Sequence, residues 1–212
     1  MTGLIITGGS INCAFAGAFL KIREFDMVIA VDGGLAAVKS LNIRPDAIVG
    51  DFDTVKGELL EEYRRMGGIA FEQHQPEKDE TDTELALRTA MEAGVNDIVL
   101  LGATGGRLDH SIGNIHLLYA CLQKGVKASI VDEKNRLYIL DQGKTYRFGE
   151  IWGKYISFLP LTEEVHGITL KYPLTDRDIR IGTSLCISNE LAEKTGTITF
   201  RDGVLICVES HD

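Results

Sequence analysis

The sequence predicts an α/β fold, a doubly wound and mostly parallel sheet, followed by a small all-β sandwich. The first observation behind this is a repeat. Leu4-Ile5-Ile6, Met27-Val28-Ile29-Ala30-Val31 and Ala47-Ile48-Val49 are apolar at every position, and each ends in Gly, Thr or Asp before a helical stretch opens. Strands that are apolar on both faces and alternate with helices belong to a parallel sheet covered on both sides. The second observation is a change of texture at about Glu133, after which short β-rich runs alternate with polar turns. No Pro- or Ser-rich linker marks the change, so two domains are expected to abut, 1–132 and 133–212.

Each element has a local reason. Asn12 can cap a helix running to about Glu24. Asp32-Gly33-Gly34 follows the second strand and opens a helix to Leu41, and Pro45 leads into the third strand. Val55 to Met66 reads as a helix stopped by Gly67-Gly68, and Ile69-Ala70-Phe71-Glu72 as a fourth strand. Thr81 and Glu84 have the spacing of a capping box, and Ala86, Leu87, Ala90, Met91 and Ala93 supply the buried stripe of the helix they start. Asp97 to Leu101 is a fifth strand. The helix after it carries Ile112, Ile115, His116, Tyr119 and Leu122 at helical spacing, which places His116 in the core, with Asp109 as a possible N-cap. Val126 to Val131 is a sixth strand. Beyond it, strands are expected at 137–140, 145–148, 155–159, 167–170, 184–187, 196–200 and 204–208, with Arg201-Asp202-Gly203 as a hairpin turn.

The chemistry centres on Gly50-Asp51-Phe52-Asp53. In an extended backbone residues i and i+2 project to one side, so Asp51 and Asp53 aim two carboxylates into one space while Phe52 packs away. Such carboxylates repel unless a cation lies between them, and hard Mg²⁺ is the natural candidate. Ligands of a doubly wound sheet bind beyond the carboxyl ends of the strands, where Gly8, Gly9, Asp32, Gly33, Gly34, Asp51 and Asp53 gather. Glu77, Lys78, Asp79, Glu80, Asp82 and Glu84 crowd more charge together than helix capping requires. Lys78, Asp79 and Asp82 therefore join the metal and phosphate candidates. Arg107 lies in a Gly-rich turn at the end of the fifth strand, where main-chain N–H groups and a guanidinium suit phosphate oxygens. Neither GxxxxGK[ST] nor GxGxxG occurs, so the P-loop and dinucleotide fingerprints do not apply.

Composition narrows the classes. A formal charge of −9 argues against a nucleic-acid partner, while leaving a metal-bound nucleotide open. No secretory signal or apolar run of membrane-spanning length is evident, and the four widely spaced cysteines suit free thiols in a reducing cytoplasm.

With these residues in place, the chain resembles the thiamine pyrophosphokinase family. The resemblance runs through Asp32-Gly33-Gly34, Gly50-Asp51-Phe52-Asp53, Lys78-Asp79-Glu80-Thr81-Asp82, Gly105-Gly106-Arg107-Leu108-Asp109-His110, the segment from Gly167 to Leu174, and Ser188-Asn189-Glu190. It implies transfer of a diphosphoryl group from ATP to the hydroxyl of thiamine with Mg²⁺, giving thiamine diphosphate and AMP, in a homodimer whose active sites lie between subunits. On the family pattern Asp51, Asp53, Asp79 and Asp82 handle metal and phosphates. Asp32, Gly33, Lys78, Thr81 and Arg107 hold the nucleotide, and Tyr172, Ser188 and Asn189 face thiamine. Catalysis falls to Asp51, Asp82, Arg107 and Asp109, with Asp109 the favoured acceptor of the hydroxyl proton. Tyr172 stands where animal members have a tryptophan and Lys78 where they have a glutamine. The competing functions are a hydroxymethyl-pterin diphosphokinase and a catalytically silent nucleotide-binding dimer.

Overall fold

A computed structural model of the chain describes residues 1–74, 79–170 and 175–212. They form two compact units, Met1–Glu133 and Lys134–Asp212.

In the first unit the chain runs β1 (Thr2–Ile6), α1 (Cys13–Lys21), β2 (Met27–Val31), α2 (Gly34–Ser40), β3 (Ala47–Gly50), α3 (Gly57–Met66), β4 (Ala70–Gln73), α4 (Asp82–Glu92), β5 (Asp97–Leu101), α5 (Leu108–Gln123) and β6 (Lys127–Val131). The strands lie in the order β4-β3-β2-β1-β5-β6. Every neighbouring pair is parallel, with Leu4 opposite both Val28 and Val99. The chain winds outward from β1 through β2 and β3 to β4, then crosses back to β5 on the other side of β1. That reversal opens a crevice between the carboxyl ends of β1 and β5. Consecutive residues of the central strands, Leu4, Ile5 and Ile6 in β1 and Ile98 to Leu101 in β5, are all buried, as a sheet covered on both faces requires. Burying each large aliphatic side chain contributes about 1.5–3 kcal/mol.

The helices begin where local chemistry lets them. Asn12 Oδ1 accepts from the N–H groups of Ala14 and Phe15 at 3.0 and 3.1 Å, and Thr81 Oγ1 accepts from Glu84 N–H at 3.2 Å. The α1 helix stops at Lys21, short of Glu24. Two expectations for α5 need correction. Arg107 rather than Asp109 is its N-cap, and the buried stripe is Asn114, Leu118 and Cys121. Of the expected stripe, Ile115, Tyr119 and Leu122 are only half-buried. Leu108 is 77% and Ile112 53% exposed, and His116 is exposed rather than in the core. Periodicity finds an apolar stripe but does not say how far the sheet beneath covers it.

The second unit contains β7 (Asn135–Leu140), β8 (Lys144–Arg147), β9 (Tyr155–Pro160), β10 (Glu164–Leu170), β11 (Arg177–Arg180), β12 (Thr195–Thr199) and β13 (Leu205–Ser210). Here β13 pairs antiparallel with β7 and β9, while a separate antiparallel sheet runs β11-β10-β12-β8. Between them lies one core including Tyr138, Tyr146, Phe158, Val165, Ile168, Ile198 and Leu205. Arg201-Asp202-Gly203 is therefore not a hairpin turn. It carries the chain from β12 in one layer to β13 in the other, and it is tied to β10 by Arg201 N–H donating to His166 O at 2.9 Å. The expected strand at 184–187 is a turn, held by Phe158 N–H donating to Cys186 O at 2.8 Å. The unexpected strand β11, Arg-Asp-Ile-Arg, buries only Ile179 and has no apolar alternation to announce it.

Candidate active site

The carboxyl ends of β1, β2, β3 and β5 surround a cavity of about 620 Å³, whose wall includes Gly8, Gly9, Asp32, Gly33, Asp51, Thr81, Asp82 and Arg107. Its floor continues the sheet's own pairing past the strand ends. Thr7, Gly9 and Ser10 donate N–H groups to the carbonyls of Leu101, Gly102 and Thr104, each at 2.9 Å. Gly9 is needed for this approach, since a Cβ there would lie 2.2 Å from Gly102 O.

Asp32, Asp51 and Asp53 each bring a carboxylate oxygen within 4.8 Å of the others'. The way they converge differs from the extended stretch expected. Asp51 N-terminal to the turn accepts from Asp53 N–H at 3.1 Å, and Phe52 takes a left-handed φ of 66° while burying its ring. Gly50 permits the approach of Asp32, because a Cβ at Gly50 would sit 3.1 Å from Asp32 Cβ. The charge of Asp51, then partial desolvation and the charge of Asp32, hold the Asp53 carboxyl above its ordinary value. Thr54 Oγ1 donates to Asp32 Oδ2, while Asp32 Oδ1 is buried with no hydrogen-bond partner among the described residues. An orphaned buried carboxylate oxygen beside two further carboxylates fits a hard divalent cation. Thr54 went unmarked in the sequence because a hydroxyl after an Asp pair looks like any turn residue. It decides which Asp32 oxygen remains for the ion, so Thr54→Val is expected to weaken Mn²⁺ binding about 10-fold while Thr54→Ser retains it. Electron paramagnetic resonance of bound Mn²⁺ checks this, and equal affinity in the Val variant contradicts it.

On the opposite wall the first turn of α4 brings Thr81, Asp82 and Thr83 to the cavity. Gly105 and Gly106 adopt φ of 82° and 71° in the turn leading to Arg107. The Arg107 guanidinium is forked on Asp109, with Nε to Oδ1 at 3.1 Å, and this pairing drives the Asp109 carboxyl down to about 2. Asp109 borders a second cavity of about 260 Å³, also walled by Thr81, Glu84, His110 and Asn114. His110 and Asn114 line both cavities and were not singled out in the sequence as ligand contacts.

Comparison with known proteins bears directly on this arrangement. The family model described as thiamin pyrophosphokinase, catalytic domain, matches residues 20–130, and the one described as thiamin pyrophosphokinase, vitamin B1 binding domain, matches residues 139–205. The chain belongs to the thiamin pyrophosphokinase family. A thiamine pyrophosphokinase of Bacillus subtilis is 38% identical over 194 residues, 89% of each chain. The crystal structure of Bacillus subtilis thiamine pyrophosphokinase superposes with a TM-score of 0.87 at 34% identity, covering 100% of both chains. That of thiamin pyrophosphokinase from Geobacillus thermodenitrificans gives 0.84 at 33% identity, over 100% of this chain and 98% of the other.

Of the residues expected from the thiamin pyrophosphokinase pattern, Asp32, Gly33, Asp51, Thr81, Asp82 and Arg107 line the larger cavity. Asp53 joins through the carboxylate cluster. Asp79 is exposed and is not part of the described wall. Lys78 and Tyr172 lie outside the described residues. In the second unit Ser188 is exposed with a left-handed φ of 58°. Asn189 Nδ2 donates to the carbonyls of Ile156 and Cys186 at 3.2 and 2.8 Å, which fixes the loop that presents Ser188. All four cysteines are free thiols, and no described helix is long and apolar enough to cross a membrane.

Proposed function

We propose that the chain is a thiamine pyrophosphokinase that moves the diphosphoryl group of Mg·ATP onto the hydroxyl of thiamine, releasing AMP. The observation that carries this is the convergence of Asp32, Asp51 and Asp53 on one side of the glycine-lined crevice, in a chain of this family. A cation held by those carboxylates supplies charge neutralisation at the polyphosphate oxygens. The first N–H groups of α4 and the main chain at Gly105-Gly106 offer donors to phosphate, and Arg107 offsets charge developing on the transferred group. Asp79, Asp82 and Lys78 add to the phosphate side on the family pattern. In-line attack of an alcohol on phosphorus needs positioning and charge stabilisation more than covalent help, which this wall provides.

Asp109 takes a different role from the one the sequence suggested. A carboxylate held at about 2 is a weak base, so Asp109 serves to orient Arg107 rather than to accept the hydroxyl proton. Asp109→Asn is expected to lower kcat about 10–100-fold without moving the acidic limb of the pH profile of kcat/KM between roughly pH 5 and 8. Disappearance of that limb in the variant restores Asp109 as the base.

Tyr172, Ser188 and Asn189 are proposed to face thiamine, and the vitamin B1 binding model over residues 139–205 favours this acceptor over a pterin. We also assign the chain to a cytoplasmic homodimer, in which a second copy covers apolar surface such as the exposed Leu108 and Ile112. Light scattering after size exclusion tests the dimer. Phosphorus NMR with Mg·ATP, with and without thiamine, tests the reaction. Stoichiometric AMP and thiamine diphosphate only with thiamine are expected; ADP with thiamine monophosphate, or AMP only with a hydroxymethyl-pterin, overturns the reading. Nucleotide binding without either product points to a silent binder.

A further inference from the structure

Asn114 is 9% exposed, yet its side chain belongs to the walls of both cavities. Its orientation is fixed from behind. Nδ2 donates to Ala103 O at 2.9 Å, and since a carbonyl can only accept, the amide must turn its oxygen the other way. Among the described residues no donor reaches Asn114 Oδ1, and the oxygen is not occluded. It therefore opens onto the cleft as a fixed acceptor. Ala103 lies between Gly102 and Thr104, whose carbonyls form the floor, so the bond to Ala103 holds Asn114 there.

A fixed acceptor selects for a donor. Phosphate oxygens of Mg·ATP only accept, so a nucleotide can satisfy Asn114 only through its ribose hydroxyls or the adenine amino group. We propose that Asn114 is a specificity-determining residue for the nucleotide, accepting a hydrogen bond from its nucleoside portion at the floor of the crevice. This rests on the nucleotide reading above, with the exposed Arg107 turn taking phosphate nearer the mouth. A site whose buried polar group is left unpaired by an analogue lacking the donor discriminates strongly, on the order of 10–100-fold for one hydrogen bond.

The test is calorimetric and independent of turnover. Mg·ATP and its 2′-deoxy, 3′-deoxy and N6,N6-dimethyl analogues are titrated into wild type and Asn114→Leu. One analogue is expected to bind wild type about 10-fold or more weaker than ATP, and that penalty is expected to vanish in Asn114→Leu. If Asn114→Leu does not fold, the comparison of wild type with Asn114→Ala replaces it. Wild type that binds all four nucleotides alike overturns the proposal, as does a penalty of equal size in the variant lacking the acceptor; both leave the nucleotide reading intact. Failure of Mg·ATP itself to bind overturns both together.

Discussion

Asp51→Asn is expected to lower thiamine-dependent AMP formation by a factor of about 10³ or more at saturating Mg²⁺, with the fold unchanged. The loss follows from charge. An amide in place of one of three clustered carboxylates removes a negative ligand and leaves Asp32 and Asp53 to hold the ion alone. The fold survives because Asp51 Oδ1 accepts from Asp53 N–H at 3.1 Å, a bond that the amide oxygen of Asn can keep. Phosphorus NMR of product formation, alongside circular dichroism and Mn²⁺ binding, separates the two effects. Turnover within about threefold of wild type removes the metal assignment.

Gly34→Ala is expected to cost about 3 kcal/mol or more of stability, lowering the melting midpoint by about 6–12 °C. The added Cβ would lie 2.2 Å from Ile6 O, 2.8 Å from Ile6 C and 2.9 Å from Thr7 C, all of them main-chain atoms. Ile6 ends the central strand, paired on both sides by β2 and β5, so it cannot retreat. The helix α2 must move instead, taking the Gly33 wall of the crevice with it. Gly57→Ala is the control. Gly57 opens α3 with nothing within 4 Å of its Cβ position, and Ala there is expected to be neutral or stabilising by up to about 1 kcal/mol. Equal melting midpoints for wild type and Gly34→Ala contradict the close approach of α2 to β1.

Much of this molecule is written locally. Runs such as Leu4-Ile5-Ile6 and Ile98-Val99-Leu100-Leu101, short and bounded by turn residues, read as strands buried on both faces, and Asn12 and Thr81 announce helix starts through hydrogen bonds made within three residues. Alternation of strand and helix then implies parallel pairing, and parallel pairing places Gly8, Asp32, Asp51 and Arg107 at one end of the sheet. The Asp51 and Asp53 pair was legible for the same reason, although a left-handed Phe52 rather than an extended strand brings the two together.

What the chain did not show locally depends on partners distant in sequence. The turn at Arg201-Asp202-Gly203 looks like a hairpin because a turn signal reports only that the chain reverses, not which strands the two arms join; here they pair in different layers. His116 and Ile112 form an apolar stripe, but α5 buries Asn114, Leu118 and Cys121 instead, since helix orientation is settled by the surface it packs on. Asp109 read as a candidate base from its place in the motif, and only the folded turn shows its carboxylate forked on Arg107, which favours the orienting role proposed above. Thr54 and Asn114 carry no sequence signal at all. Their roles come from an orphaned Asp32 oxygen on one wall and the Ala103 carbonyl on the other. Sequence by itself determined the elements of the first unit, their parallel pairing and the end of the sheet at which chemistry gathers, because those follow from periodicity and short-range hydrogen bonding. Tertiary structure alone decided which oxygens are left without partners, and so which side chains a ligand must satisfy.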